Sequence, residues 1–292
     1  MAVLMTADGT NLLHRSYHAL EATGMRGSNG QALWAVHGIV GSLAKYIDAI
    51  GPSSMLVAFD VLGGCPSRKA LAPSYKLGRS ETPAELTEQL LLSHELLIAC
   101  GVACASEQDW EADDLLASSA VLASSRGAHT VIVSADKDAH QLINDQVRVY
   151  KPEGHFLDTQ GLIEKYGVSG DRWVEYTAMV GEGADNLAGV TGVGPKRAAL
   201  LVGAFSDIEL AIADPQKAAS VVPAKVAQAL VDGADIFRRN RLVGQLRTDI
   251  PIDLVGLRLA SLDLERIRTT CVAYGIPQAG MRLASAIERA LT

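Results

Sequence analysis

Three short apolar runs each lead into an aspartate, and that recurrence limits the folds open to this chain more than any other feature. Ala2-Val-Leu-Met5 precedes Asp8, Met55-Leu-Val-Ala-Phe59 precedes Asp60, and Thr130-Val-Ile-Val133 precedes Asp136. Runs this short and apolar, separated by helical stretches, read as parallel strands buried on both faces. In open parallel sheets ligands bind outside the carboxyl ends of the strands, so the three aspartates are expected on one rim. More acids stand in Glu111-Ala-Asp113-Asp114, Asp136-Lys-Asp138 and Glu182-Gly-Ala-Asp185-Asn186. Carboxylates gathered in one place repel one another unless divalent cations neutralise them. The pattern reads as a metal site.

A chain of 292 residues with 48% hydrophobic content can bury one large core, or a core and a smaller helical lobe. Strands are expected at 2–7, 54–60, 102–105, 129–135 and 147–150, and helices at 31–50, 84–99, 111–125 and 138–143. From about 158 onward the pattern is helical. The stretch from Val61 to Thr82 holds Gly63, Gly64, Pro66, Pro73 and Gly78 with Arg68, Lys69, Lys76 and Arg79, which makes a long basic loop. The four cysteines are scattered and the histidines show no ligand spacing, so neither set points to zinc. Unpatterned cysteines, no signal peptide and no membrane-length apolar run fit a reducing cytoplasm.

A net charge of −7 is unusual for a chain that handles a polyanion. Setting aside the nine carboxylates Asp8, Asp60, Glu111, Asp113, Asp114, Asp136, Asp138, Glu182 and Asp185 leaves +2, and bound divalent ions would move the balance the same way. An acidic chain is therefore compatible with a nucleic-acid substrate.

Each motif alone has a bland reading. Acids in the first turn of a helix favour its dipole, which would account for part of Glu111–Asp114. Asp136-Lys137-Asp138 fits a cap or turn. Arg238, Arg239 and Arg241 fit a solvated helix face as well as a DNA track. The strongest local signal is Gly189-Val-Thr-Gly192-Val193-Gly194-Pro-Lys196-Arg197, a glycine turn running into a helix. Glycines let backbone N–H groups approach a phosphate, the helix N-terminus favours the anion, and Lys196 and Arg197 add charge-assisted contacts. With Asp185 just upstream, a metal site and a phosphate grip stand side by side.

Asp8-Gly-Thr-Asn with Arg15, Phe59-Asp60, Arg68, Tyr75-Lys76 with Arg79, Glu111-Ala-Asp-Asp114, Ala135-Asp-Lys-Asp138, Asp185-Asn186 and Gly192-Val-Gly-Pro-Lys196 follow the order found in bacterial 5′-nucleases. The chain resembles the 5′-exonuclease/flap endonuclease family, which includes the N-terminal nuclease domain of DNA polymerase I. The resemblance implies an α/β fold: a resolvase-like (PIN-like), mostly parallel sheet flanked by helices over 1–180, with a helical arch at about 70–100. A helical DNA-binding lobe over 181–292 would carry a helix-hairpin-helix (H3TH) turn at about 185–205. It implies a Mg²⁺- or Mn²⁺-dependent, monomeric nuclease of replication and repair that cuts DNA at 5′ flaps, 5′ ends or nicks, with RNA-containing 5′ strands also within range.

Asp8, Asp60, Glu111 and Asp113 would hold a first metal, and Asp136, Asp138 and Asp185 a second, with Asp114 helping through water or at an additional ion. Arg68, Lys76, Arg79 and Arg15 would contact the phosphates at the scissile bond. Tyr75, Gly192, Val193, Gly194, Lys196 and Arg197 would meet the DNA, with K⁺ at the turn. Glu182 departs from the family's usual Asp, Ala188 from a common Pro, and Arg197 from a Thr. The rival readings are a DNA-binding homologue without catalysis and a metal-dependent phosphatase for small molecules.

Overall fold

The apolar runs pair side by side. β1 (Val3–Asp8), β2 (Ser54–Ala58), β3 (Cys104–Ala105), β4 (His129–Val133) and β5 (Val147–Lys151) are joined by parallel pairings, and β6 (His155–Leu157) adds an antiparallel edge. The computed structural model describes residues 2–61, 63–78, 82–253 and 255–292. Across the sheet the order is β3-β2-β1-β4-β5-β6, so the chain builds outward on one side of β1 and then returns to build on the other. The crevice between β1 and β4 is thus the topological switch point at which open α/β sheets bind ligands. In register, Asp8 lies opposite Ala58 and Ala7 opposite Val133. Asp60 and Asp136 follow shortly after those partners, so all three acids leave the sheet on one rim, as the sequence implies.

Interleaved with the strands are α1 (Gly9–Leu20), α2 (Trp34–Ile50), α3 (Pro66–Leu71), α4 (Ala84–Ala99) and α5 (Ala112–Ser125). Beyond the sheet come α6 (Thr159–Tyr166), α7 (Trp173–Val180), α8 (Pro195–Ala204), α9 (Ile208–Ala213), α10 (Pro215–Ala218), α11 (Ala224–Asp232), α12 (Ala234–Gly244), α13 (Leu264–Ala273) and α14 (Pro277–Ala290). Alternation along each strand sends side chains to two faces. Met5, Ala7, Val57, Val131 and Val133 pack with Leu13 of α1, Ile39 of α2, Leu96 of α4 and Leu283 of α14. Ala58, Ile132 and Val149 pack instead with Leu116 of α5, Trp173 of α7, Leu201 of α8 and Phe237 of α12.

Three expectations change in extent. The third strand shrinks from 102–105 to Cys104–Ala105, and the helix expected at 138–143 is a 3₁₀ segment, Asp138–Leu142. Of the arch expected at about 70–100, α4 is a core helix, because its Leu86, Gln89, Leu90, Leu96 and Leu97 are buried. A boundary at 180 also fails to separate two cores. α13 and α14 return to pack on α2 and α4, while α7 and α8 share a core with the sheet's other face.

A two-stranded hairpin, β7 (Gly181–Glu182) with β8 (Leu187–Ala188), leaves α7 and carries the 3₁₀ segment Gly183–Asp185. Its base is tight: a Cβ on Gly189 would collide with the Val180 carbonyl, whereas one on Gly41 in α2 would meet open space. Gly189→Ala is therefore expected to destabilise the fold by about 1–3 kcal/mol, whereas Gly41→Ala should be neutral or gain up to ~1 kcal/mol from helix propensity. Urea unfolding of the two variants beside wild type checks this; equal midpoints for both would contradict it.

Candidate metal centre

Asp8 ends β1 and caps α1, its Oδ1 accepting from the Asn11 N–H at 2.8 Å. Asp60, just past β2, accepts from the Ala112 N–H at 2.7 Å, and its own N–H donates to Thr10 Oγ1 at 2.9 Å. Through these bonds Asp60 ties the end of β2 to the first turns of α1 and α5. Past β4, Asp136 accepts from the Asp138 N–H at 2.9 Å while its N–H donates to Ser134 Oγ at 3.0 Å. This is the Asx geometry that a short Asp-x-Asp turn favours.

The aspartates act on one another. Burial, followed by the charges of Asp60 and Asp136, pushes the Asp8 carboxyl up to about 8, against the opposing pull of Asn11 and Lys76. Burial and then Asp136 and Asp185 push Asp138 up to about 8 as well. Asp113, in the first turn of α5, is raised well above its ordinary value by burial and then by Asp8, Asp136, Asp138 and Asp60. Its Oδ1 is buried with no hydrogen-bond partner, which is costly for a carboxylate oxygen. Asp185 is buried on the hairpin. Six carboxylates thus meet at the switch point: Asp8, Asp60, Asp113, Asp136, Asp138 and Asp185.

Glu111 and Asp114 face elsewhere. Arg68 Nη1 donates to Glu111 Oε2 at 2.5 Å and to Asp114 Oδ2 at 2.9 Å, and Nη2 donates to Asp114 Oδ1 at 2.7 Å. Arg68 Nε donates to the Val243 carbonyl at 3.0 Å, which fastens α3 to α12. Asp114 also accepts from the Arg247 and Glu111 backbone N–H groups, so its two oxygens take four bonds in full burial. A carboxylate has about four lone-pair sites, and those of Asp114 are all engaged. This corrects the expected metal-assisting role of Asp114 and the expected phosphate contact of Arg68: buried together, they form an internal ion pair. Tyr75 is corrected likewise, because it is buried and its hydroxyl donates to Glu111 Oε2 at 2.9 Å.

Lys76 closes the network. Its Nζ donates to Glu111 Oε1 at 2.6 Å and its backbone N–H to the Asp185 carbonyl at 2.9 Å. Its φ of +55° lies in the left-handed region, a conformation that costs on the order of 1 kcal/mol or more in a residue with a Cβ. Burial raises the Glu111 carboxyl, but Lys76 and Arg68 more than reverse this and hold it below its ordinary value. Asn186 Nδ2 donates to the Ser74 carbonyl at 3.0 Å, a second tie between the hairpin and the basic loop.

The remaining expected residues spread out. Glu182 lines a small cleft with Asp138, Asp185 and Asn240. Arg15 is exposed and paired with Glu153 at 3.2 Å, turned to the β5–β6 connection. Arg79 lies outside the described residues. At the glycine turn, Gly192 has φ +84°, Val193 is buried, Gly194 caps α8 and Lys196 is exposed. Arg197 Nη1 donates back to the Gly192 carbonyl at 2.7 Å, so it braces the turn. The Ala188 and Val190 carbonyls accept from Asn240 Nδ2 and the Val193 N–H. Arg238 and Arg241 pair with Glu209 and Asp207, which favours the solvated-face reading.

Lys151 escaped the sequence reading. From the end of β5, its Nζ donates to the Asp136 carbonyl at 3.1 Å, and burial lowers its pKa to about 8 despite Asp136 and Glu153. The signal was available, since β5 neighbours β4 and its last residue must lie beside the Asp136 turn.

Among the described residues no three Asp, Glu, His or Cys side chains are already arranged to hold one ion. The reason is visible: Asp8, Asp60 and Asp136 are bonded to backbone N–H groups and Glu111 to cations. The donor chemistry nonetheless fits a hard divalent cation, with oxygen ligands only, mutual repulsion and a buried unpartnered Asp113 oxygen.

The chain matches the family model described as 5′-3′ exonuclease, N-terminal resolvase-like domain, over residues 3–167, and that described as 5′-3′ exonuclease, C-terminal SAM fold, over 168–268. It is 33% identical to the thermostable DNA polymerase I of Thermus aquaticus over 265 residues, which are 91% of this chain and 31% of that protein. It is 32% identical to DNA polymerase I of Mycobacterium tuberculosis over 275 residues, 90% of this chain and 29% of that one. The chain thus spans about a third of the length of these curated relatives. In fold it is similar to the T5 D15 protein co-crystallised with metal ions, with a TM-score of 0.69 at 20% identity over 99% of this chain and 100% of that one. The catalytic core of Rad2 in complex with DNA substrate gives a TM-score of 0.60 at 15% identity, covering 99% and 92%.

The raised carboxyls set a pH dependence. Asp8 and Asp138 titrate near 8 in the folded chain and near their ordinary value of about 4 when unfolded, so the folded state holds protons that the unfolded state has released. Stability of metal-free protein should then fall as pH rises from 6.5 to 8. Buried His140, lowered to about 3, acts oppositely but only below its unfolded value of 6.5. The thermal midpoint in EDTA is expected to be lower at pH 8 than at pH 6.5; an equal or higher midpoint at pH 8 would overturn the clustering of the aspartates.

Proposed function

The chain belongs to the 5′-3′ exonuclease family, and we propose that it is a structure-specific DNA 5′-nuclease, removing 5′ flaps and degrading from 5′ ends by Mg²⁺- or Mn²⁺-dependent hydrolysis. The observation that supports this reading best is the crowding of six aspartates at the switch point, which raises their carboxyls and which bound divalent cations would neutralise.

Asp8, Asp60, Asp113 and Glu111 would hold one ion, and Asp136, Asp138 and Asp185 another, with Glu182 at the periphery. When bound, two such ions lower the pKa of an attacking water and neutralise charge at both oxygens of the displaced bond. The chain's own groups do the rest. Lys76, between Glu111 and Asp185, would hold the scissile phosphate and stabilise its developing charge. Arg68 and Asp114 would act by positioning, because their pairing fixes the Glu111 carboxylate and the start of α5. Gly192, Gly194 and Lys196 would grip a phosphate of the duplex at the start of α8. The basic loop between Asp60 and α4 would receive the 5′ strand. No helix of the described residues is long and apolar enough to cross a membrane.

A labelled 5′-flap duplex, with and without Mg²⁺, tests the reading by the lengths of the products. Wild type should cut near the flap junction only with metal. Asp138→Asn should lower turnover by at least about a hundredfold while flap-DNA affinity stays within a few-fold. Lys76→Ala should slow cleavage far more than it weakens binding. Metal-independent cutting, or undiminished turnover by Asp138→Asn, would sink the assignment.

A further inference from the structure

α4 ends at Cys100 and α13 carries Cys271, 171 positions further along the chain, and their two sulfurs meet at 3.9 Å. Both are free thiols and both are fully buried. Neighbouring groups hold the meeting in place. Arg266, in the same helix as Cys271, donates from Nε to the Ala99 carbonyl at 2.6 Å, which fixes α13 against the end of α4. From α14, a Cβ at Gly280 would stand 2.3 Å from Cys271 Cβ and 2.8 Å from its sulfur. Any side chain at that position would push Cys271 out of place.

The pair is polarised. Contact with Cys271, aided by the Arg266 guanidinium, holds the Cys100 thiol below its ordinary value against the effect of burial. The same contact, followed by burial, raises Cys271. Cys100 is thus the sulfur that ionises first, and the thiolate is the form that attacks an oxidant. Cys104 on β3 is pushed the other way, up to about 12, chiefly by burial. Cys65 is engaged elsewhere, with Ser67 Oγ and the Asp109 carbonyl, each at 3.1 Å. Burial shields the pair until α13 lifts, and α13 is lightly held. Of its ten residues it buries Ile267 and Cys271, while the adjacent Val272 is 62% exposed. An element with so few apolar anchors opens locally at a fraction of the cost of global unfolding.

We propose that Cys100 and Cys271 are a modification site, converted by hydrogen peroxide to a reversible disulfide that staples α13 to the end of α4. The Cys100 thiolate attacks one peroxide oxygen, the O–O bond breaks, and hydroxide leaves as Cys100 becomes a sulfenic acid. The Cys271 sulfur then attacks the sulfenic sulfur. The S–S bond forms, the S–O bond breaks, and the departing oxygen leaves as water with the thiol proton. The two thiols lose two electrons in all and the peroxide gains them; a dithiol such as dithiothreitol returns them. The sulfurs must close from 3.9 Å to about 2 Å, a movement that a helix end and a short, lightly held helix can absorb. Cys100 ends the helix that leads into the start of β3, whereas the carboxylates follow strand ends, so the staple stands at the opposite end of the sheet from the metal centre. Oxidation should therefore change stability and leave the metal centre untouched, whatever that centre does.

The test treats the wild-type chain with hydrogen peroxide in native buffer, then alkylates it with N-ethylmaleimide under denaturing conditions and digests it without reductant. Mass spectrometry should find one cross-linked peptide pair joining Cys100 to Cys271, reversed by dithiothreitol, with Cys65 and Cys104 still alkylated. Because the bond closes a long loop, it should raise the thermal midpoint by about 5 °C or more over the reduced chain. Cys104→Ser should keep both effects, and Cys100→Ala should lose both. Four alkylated cysteines after oxidation, a sulfinic acid at Cys100 without a cross-link, or a cross-link to Cys104 in place of Cys271 would overturn the pairing. A Cys100–Cys271 cross-link that leaves the midpoint unchanged or lower would overturn the staple.

Discussion

Repulsion among Asp8, Asp60, Asp113, Asp136, Asp138 and Asp185 is the constraint around which the molecule is organised. A parallel sheet delivers strand ends to one rim at no added cost, and here the rim positions nearest the switch point are aspartates. Two of these carboxyls are pushed up to about 8 and Asp113 is raised well above its ordinary value. Sites that shift pKa values this far trade stability for function. Three of the acids are fixed locally: Asp8 by a helix start, Asp60 by Ala112, Asp136 by its own turn.

A second electrostatic unit separates binding from support. Arg68, buried, gives four bonds to Glu111, Asp114 and the Val243 carbonyl. It therefore joins α3, the start of α5 and α12, three segments far apart in sequence. A buried pair of this kind is weak evidence for net stability, but removing one partner is expensive, on the order of 3–5 kcal/mol. Its value here is positional: it keeps Glu111 beside Lys76 and directs Asp114 away from the aspartate cluster.

Much of this was legible in the sequence. Apolar runs ending in Asp8, Asp60 and Asp136 specified a parallel sheet and one acidic rim, because burial on both faces and strand polarity leave few alternatives. The division of labour within Glu111-Ala-Asp113-Asp114 was harder. Residues three apart share a helix face and adjacent ones do not, so Glu111 and Asp114 go together and Asp113 goes to the metal side. That spacing separates Asp113 from the two acids that Arg68 engages. Arg68 and Tyr75 looked like exposed loop residues because nothing local records that α12 covers them. The return of α13 and α14 to the first core was hidden for a related reason: an amphipathic pattern states that a face is buried and is silent about which core receives it.

The central claim, that crowded protonated aspartates await divalent cations, is tested most directly by the protons that metal displaces. Calorimetric titration of the metal-free chain with Mg²⁺ at pH 7, in two buffers of different ionisation enthalpy, counts them. Asp8 and Asp138, pushed up to about 8, hold protons at that pH, so the account predicts saturable binding with release of about two protons per chain. Binding without proton release, or no binding at millimolar Mg²⁺, would contradict it.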